Sequence, residues 1–199
     1  MKKLVVLSLS VFCTGLVLIG CSKEKEIPTI ANASVNTLLV LEDGTAKSAL
    51  VDEFDKPYYN TNELKEFINK DIAIYGKSAG ADAVSLEDIG TSSESVIAKF
   101  SYKSIMNYSE YMKADTEVMS NVVATQNINV PESLINVEDG ANVSKEEALS
   151  DEDYKVLVTN SPGYNIMVDG DILYYSNGLL LDESTVQSGS EGYTVIVYE

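Results

Sequence analysis

Two Asp-Gly dipeptides do most to limit what this chain can become. Asp43-Gly44 follows Thr37-Leu38-Leu39-Val40-Leu41-Glu42 and precedes a strand-like run from Thr45 to Val51. Asp169-Gly170 stands between Tyr164-Asn165-Ile166-Met167-Val168 and Asp171-Ile172-Leu173-Tyr174-Tyr175. An Asp-Gly pair supplies the positive-φ backbone of a two-residue turn, and the flanking apolar runs supply the strands. The pattern predicts two β-hairpins and an antiparallel sheet.

Helical signals are fewer. Asn60 can cap a helix and Glu63 sits where a capping-box acid belongs. Leu64, Phe67, Ile68, Ile72 and Tyr75 then fall on one stripe at helical spacing, ahead of Gly76 and Gly80. This predicts a helix over about residues 61–76. Ser95 to Lys103 alternates, with Val96, Ala98, Phe100 and Tyr102 on one face, which predicts a half-buried strand. Ser104 to Lys113 reads as a short helix, and Ser144 with Glu147 predicts another over 145–150. Tyr154 to Val158 reads as a strand. Tyr193 to Tyr198 is apolar on both faces, as a central strand is. The expected class is α+β, a mainly antiparallel sheet with one clear helix and one or two short ones. Its 199 residues favour one folded domain over 36–199, with a possible subdivision near 140–153.

The N-terminus has a different character. Met1-Lys2-Lys3 is positive, and Leu4 to Gly20 is almost wholly apolar, the layout of a secretory signal peptide over residues 1–20. Its ending, Leu18-Ile19-Gly20-Cys21, resembles the lipobox of bacterial lipoproteins. That resemblance covers residues 1–21 only. It implies cleavage before Cys21, lipidation of the Cys21 sulfur with diacylglycerol, and a lipid anchor on the extracytoplasmic face of a cell membrane. Two acyl chains on that residue would hold stably where one holds marginally. The alternative is an uncleaved N-terminal anchor helix, because the apolar run is nearly long enough to span. Residues 22–35 read as a flexible tether with a mean reach of roughly 20 Å. Further on, Glu42-Asp43-Gly44, Glu53-Phe54-Asp55-Lys56-Pro57-Tyr58-Tyr59 and Glu63-Leu64-Lys65-Glu66-Phe67-Ile68 resemble a pattern in uncharacterised lipoproteins of gut Clostridia. This second resemblance implies location and no activity.

Charge and missing residue types narrow the chemistry. Loss of Lys2 and Lys3 with the leader leaves 12 lysines against 31 acidic residues, a formal charge of −19, and arginine is absent. Nucleic acid binding needs basic side chains to displace counterions, so nucleic acid is not an expected partner. An anionic lipid surface would repel the domain as well. There is no histidine, and both cysteines, Cys13 and Cys21, lie in or at the edge of the leader. Nucleophile systems that use a histidine base, and thiol or imidazole zinc sites, are therefore excluded. No phosphate-binding glycine loop is present.

Carboxylates and tyrosines remain. No cofactor is expected, and the one candidate weighed is calcium: Asp52 with Asp55, Asp151 with Asp153, and Asp169 with Asp171 lie in oxygen-rich segments of the kind that hold it. The EF-hand spacing is not met, since Leu180 stands where Asp169 would need a glutamate. The plainer reading makes Asp169-Gly170 a turn and the other acids solvated surface. The pairs Tyr58-Tyr59 and Tyr174-Tyr175 could each present one ring for stacking on a sugar or peptide. The plainer reading is that tyrosine suits half-buried strand positions.

Three roles stay open. The favoured one is a membrane-tethered, non-catalytic binding or interaction module with an envelope protein or glycan partner. The alternative is an envelope structural or assembly factor. A hydrolase using two carboxylates is the third.

Overall fold

A computed structural model describes residues 28–199, so the leader and Cys21 lie outside the described residues. It contains β1 (Thr37–Val40), β2 (Ala46–Glu53), α1 (Thr61–Ala79), β3 (Val84–Ser92), β4 (Ser95–Tyr102), α2 (Ile105–Met112) and β5 (Thr116–Ser120). There follow α3 (Asn121–Ala124), β6 (Ser133–Asn136), β7 (Asn142–Ser144), α4 (Lys145–Ala148), β8 (Lys155–Thr159) and β9 (Asn165–Val168). The chain ends with β10 (Ile172–Ser176), β11 (Gly178–Asp182), β12 (Thr185–Ser188) and β13 (Thr194–Tyr198). The fold is α+β and dominated by two mostly antiparallel sheets.

One sheet has seven strands in the order β11-β12-β9-β1-β2-β4-β3, the other six in the order β5-β8-β13-β10-β6-β7. Alternation along each strand sends Leu38, Val40, Phe100, Tyr102 and Ile166 of the first sheet, and Leu157 and Ile196 of the second, into one shared core. The opposite face of the six-stranded sheet buries Leu134, Val156, Val158, Val195 and Val197 against Ala124, Ala148 and Leu149. Every residue of β13 is buried, as an apolar strand covered on both faces requires.

The hairpin at Asp43-Gly44 forms, with a longer loop than two residues. Gly44 N–H donates to the Leu41 carbonyl at 3.0 Å, Leu41 N–H donates to Thr45 at 2.9 Å, and Gly44 holds φ at 82°. This is a three-residue loop with glycine in the left-handed position. The Asp43 carboxylate accepts from both Thr45 N–H and Thr45 Oγ1, and these bonds hold its pKa below the usual carboxylate range.

Asp169-Gly170 is not a hairpin. β9 pairs with β1 in parallel and with β12, whereas β10 pairs with β13 and β6 in the other sheet. Asp169-Gly170 is a crossing between the sheets, and Gly170 serves there for closeness. A Cβ on it would meet the Glu199 carbonyl oxygen at 2.3 Å.

The helix stripe is also revised. Asn60 caps α1 by accepting from Asn62 and Glu63 N–H, and α1 runs past Gly76 to Ala79. Ile68, Ile72 and Tyr75 pack against the core, but Phe67 is 67% exposed and no residue of α1 is buried. α1 lies against β3 and is also tied to α2: Tyr75 donates its hydroxyl to Glu110 at 2.8 Å, and its ring lies 5.4 Å from that of Tyr111.

Part of the span read as a tether packs on the domain. Ile30 is buried with Leu39 and Ala49 on the outer face of the seven-stranded sheet, and Lys99 Nζ donates to the Ala31 carbonyl at 2.7 Å. An apolar side chain that can cover bare sheet leaves water, so the packed region starts by Ile30. β9, β11 and β12, which follow residues 140–153, complete the sheet that β1 to β4 begin. No helix among the described residues is long and apolar enough to cross a membrane.

Candidate functional site

Where the two sheets part at one end of the sandwich, a cleft of about 340 Å³ opens. The first sheet contributes Val40 at the end of β1, with Leu41, Glu42 and Gly44 of the following turn. The second contributes Val118, Met119 and Ser120 at the end of β5, Lys155 at the start of β8, and Tyr198 at the end of β13. Ile105 opens α2 beneath the turn, and its N–H donates to the Gly44 carbonyl at 3.2 Å. Glu152, Asp153 and Tyr154 close the rim. The floor is apolar, and the charged side chains at the edge are Glu42, Glu152, Asp153 and Lys155.

Two further depressions adjoin it, one smaller than the cleft and one larger and more open. One of about 190 Å³ shares Tyr154 with the cleft and adds Glu138, Ile172 and Tyr174. The rings of Tyr154 and Tyr174 lie 6.4 Å apart. Burial raises the Tyr154 phenol above its ordinary pKa, with Tyr174 and the Asp151 carboxylate adding to the effect. Burial also pushes Tyr198 up to about 12. On the other side a shallow hollow shares Leu41 and Glu42 with the cleft and adds Asp43 and Asp169. Cleft and hollows together make one groove across the sheet ends.

The calcium candidates do not converge. Asp52 turns back to accept from Glu53 N–H at 2.8 Å, and Asp55 pairs with Lys56 at 2.7 Å. Asp151 accepts from Asp153 N–H at 3.0 Å, a turn that brings Asp153 to the cleft rim. Asp169 lies at the hollow beside Asp43, while the Asp171 backbone pairs with Glu199. Among the described residues no three acidic, histidine or cysteine side chains are close enough to hold a metal ion. The Asp151 segment is bent because an aspartate can accept from a backbone N–H two residues on, a use of a carboxylate that needs no ion.

The two tyrosine pairs differ: the Tyr58 and Tyr59 rings stay in edge contact at 5.0 Å, whereas Tyr174 and Tyr175 point apart. Tyr58 and Tyr59 lie in the loop before α1, not in a strand. They are 74% and 43% exposed, and Tyr59 stacks on Phe54 at 4.9 Å. Tyr174 and Tyr175 sit in β10 and face opposite sides: Tyr174 borders the groove and Tyr175 packs on the central core. Of the residues picked from sequence, Asp153, Asp169 and Tyr174 reach the groove. Leu41, Glu42, Val118, Met119 and Tyr154 were missed, and nothing in their local spacing marks them.

A separate polar cavity of about 250 Å³ lies under residues 29–35, against Thr37, Asn165 and Thr185 on the outer face of the seven-stranded sheet. Asn165 Oδ1 and Thr185 Oγ1 are buried there without a hydrogen-bond partner among the described residues. No protein-family model, curated protein or solved structure matches the chain.

Proposed function

We propose that this chain is a membrane-tethered extracytoplasmic lipoprotein that acts as a non-catalytic binding module. The groove at the open end of the sandwich is its contact site. The observation that carries the reading is the cleft itself: an apolar floor of about 340 Å³ with polar groups confined to its edge, the usual build of a ligand site. Attachment rests on the Leu18-Ile19-Gly20-Cys21 ending, and the acidic surface keeps the domain off anionic headgroups.

Photo-crosslinking in cells tests the contact site. A benzophenone side chain at Met119 should give a discrete adduct, and the same group at Thr91, in the β3–β4 hairpin, should not. Adducts of equal yield from both positions, or none from Met119, would sink the binding reading. The anchor is tested separately by fatty-acid labelling. Cys21→Ser should lose the label and leave the membrane fraction; a variant that keeps both removes the lipoprotein assignment.

A further inference from the structure

We infer that the groove takes a cationic peptide segment carrying an apolar anchor, a proposal that rests on the groove being the binding site. Six carboxylates border it: Glu42, Asp43, Glu138, Glu152, Asp153 and Asp169. One lysine, Lys155, stands among them. The ion pairs of the described residues, Lys47 with Glu87, Lys56 with Asp55 and Lys99 with Asp88, use none of the six. Like charges gathered around a low-dielectric hollow focus a negative potential on it, and a cationic partner relieves that repulsion.

The shape selects a peptide over a small cation. A lone ion would need several carboxylates within reach of one point, and the described residues provide no such set. The acids instead follow a groove of three joined depressions, with Leu41 and Tyr154 at the two junctions. An extended or helical segment can seat one or two apolar side chains on Leu41, Ile105, Val118 and Met119 while its basic residues reach the rim. Apolar contact supplies the burial, and the charges supply encounter rate and choice of partner.

The test uses the full chain in a non-ionic detergent and a short dye-labelled peptide of lysines around a leucine pair, with binding read by fluorescence anisotropy. Binding should weaken about tenfold or more when salt rises from about 50 to about 500 mM. Glu42→Lys with Asp153→Lys should abolish it, whereas Glu66→Lys with Glu94→Lys, an equal charge change away from the groove, should leave it. A lysine–glycine peptide without leucine should bind about tenfold more weakly or worse. Equal loss from both double variants would reduce the effect to bulk charge and overturn the inference. Binding of a leucine–glutamate peptide as tight as that of the leucine–lysine one would also overturn it. If the Met119 crosslink forms in cells but the cationic peptide neither binds nor competes, the inference fails and the binding reading stands. If the crosslink is absent as well, both fail.

Discussion

Gly170 and Glu199 lock the passage between the two sheets. Their backbones run so close that a Cβ on Gly170 would lie 2.3 Å from the Glu199 carbonyl oxygen and 2.9 Å from the Tyr198 ring. Asp171 N–H donates to Glu199 at 3.0 Å and Glu199 N–H returns the bond to Asp171 at 3.2 Å, so neither strand end can simply step aside. Gly170→Ala should therefore destabilise the fold by about 1–3 kcal/mol, the usual range for forced overpacking. Urea unfolding would show a lower midpoint at unchanged slope. An unaltered midpoint would mean that this end of β13 yields freely.

The tyrosine-rich core predicts an alkaline limit. Burial pushes Tyr108 up to about 12 and raises Tyr102 further, and Tyr102 shares a 2.9 Å hydrogen bond with Ser48. In the unfolded chain such phenols ionise near 10. Above that pH the unfolded state loses protons that the folded state keeps, so stability is complete below pH 10 and declines toward pH 12. Each such group removes on the order of 1.4 kcal/mol per pH unit in that window. Circular dichroism and tyrosinate absorbance should change together there. Full ionisation with intact ellipticity would refute the account. Tyr108→Phe should flatten the decline.

Thr185 offers a stabilising change. Its hydroxyl is buried beneath residues 29–35 with no partner among the described residues, and the residue is 4% exposed. Valine has nearly the same shape and suits a strand. Removing an unsatisfied hydroxyl should raise stability by about 1 kcal/mol. A thermal melt of Thr185→Val that moves down instead would show that something occupies the cavity and bonds to that oxygen.

The first helix should be the loosest large element. It buries no residue and leans on α2 through Tyr75, Glu110 and Tyr111. Local opening costs least where little apolar surface is buried, so amides of α1 should exchange with deuterium well before those of β13. Asn60→Ala removes the acceptor for Asn62 and Glu63 N–H and should cost the helix about 1 kcal/mol. The change should accelerate exchange in α1 and leave β13 alone; equal acceleration in both would mean that the helix opens only with the whole domain.

Local pattern carried much of the fold. The alternation of Val96, Ala98, Phe100 and Tyr102 became β4, with its partners buried in turn. Asn60, Ser104 and Ser144 each cap the helix expected after them, because a cap depends on residues within one turn. Pairing was less legible. Asp43-Gly44 and Asp169-Gly170 have the same flanks, yet one reverses the chain within a sheet and the other sends it to the second sheet. The difference lies in β1, a partner for β9 from the far end of the sequence, and in β13, which takes β10 into the second sheet. Phe67 follows the helical period but points away from the core, since only the Ile68 and Ile72 side of α1 meets it. The groove was hidden for the same reason. Leu41, Ile105, Met119 and Tyr154 come from separate segments, and only the assembled sheets bring them together.

The place of β13 sets an order of events. The strand latest in the sequence lies between β8 and β10, and β9 joins β1 across more than half of the chain. As the polypeptide emerges from synthesis, each half-built sheet waits with an open edge for segments still to come. Folding that depends on such distant partners runs in milliseconds to seconds. During that interval the apolar strands stay exposed, and it is then that a holding chaperone or a neighbouring copy would meet them.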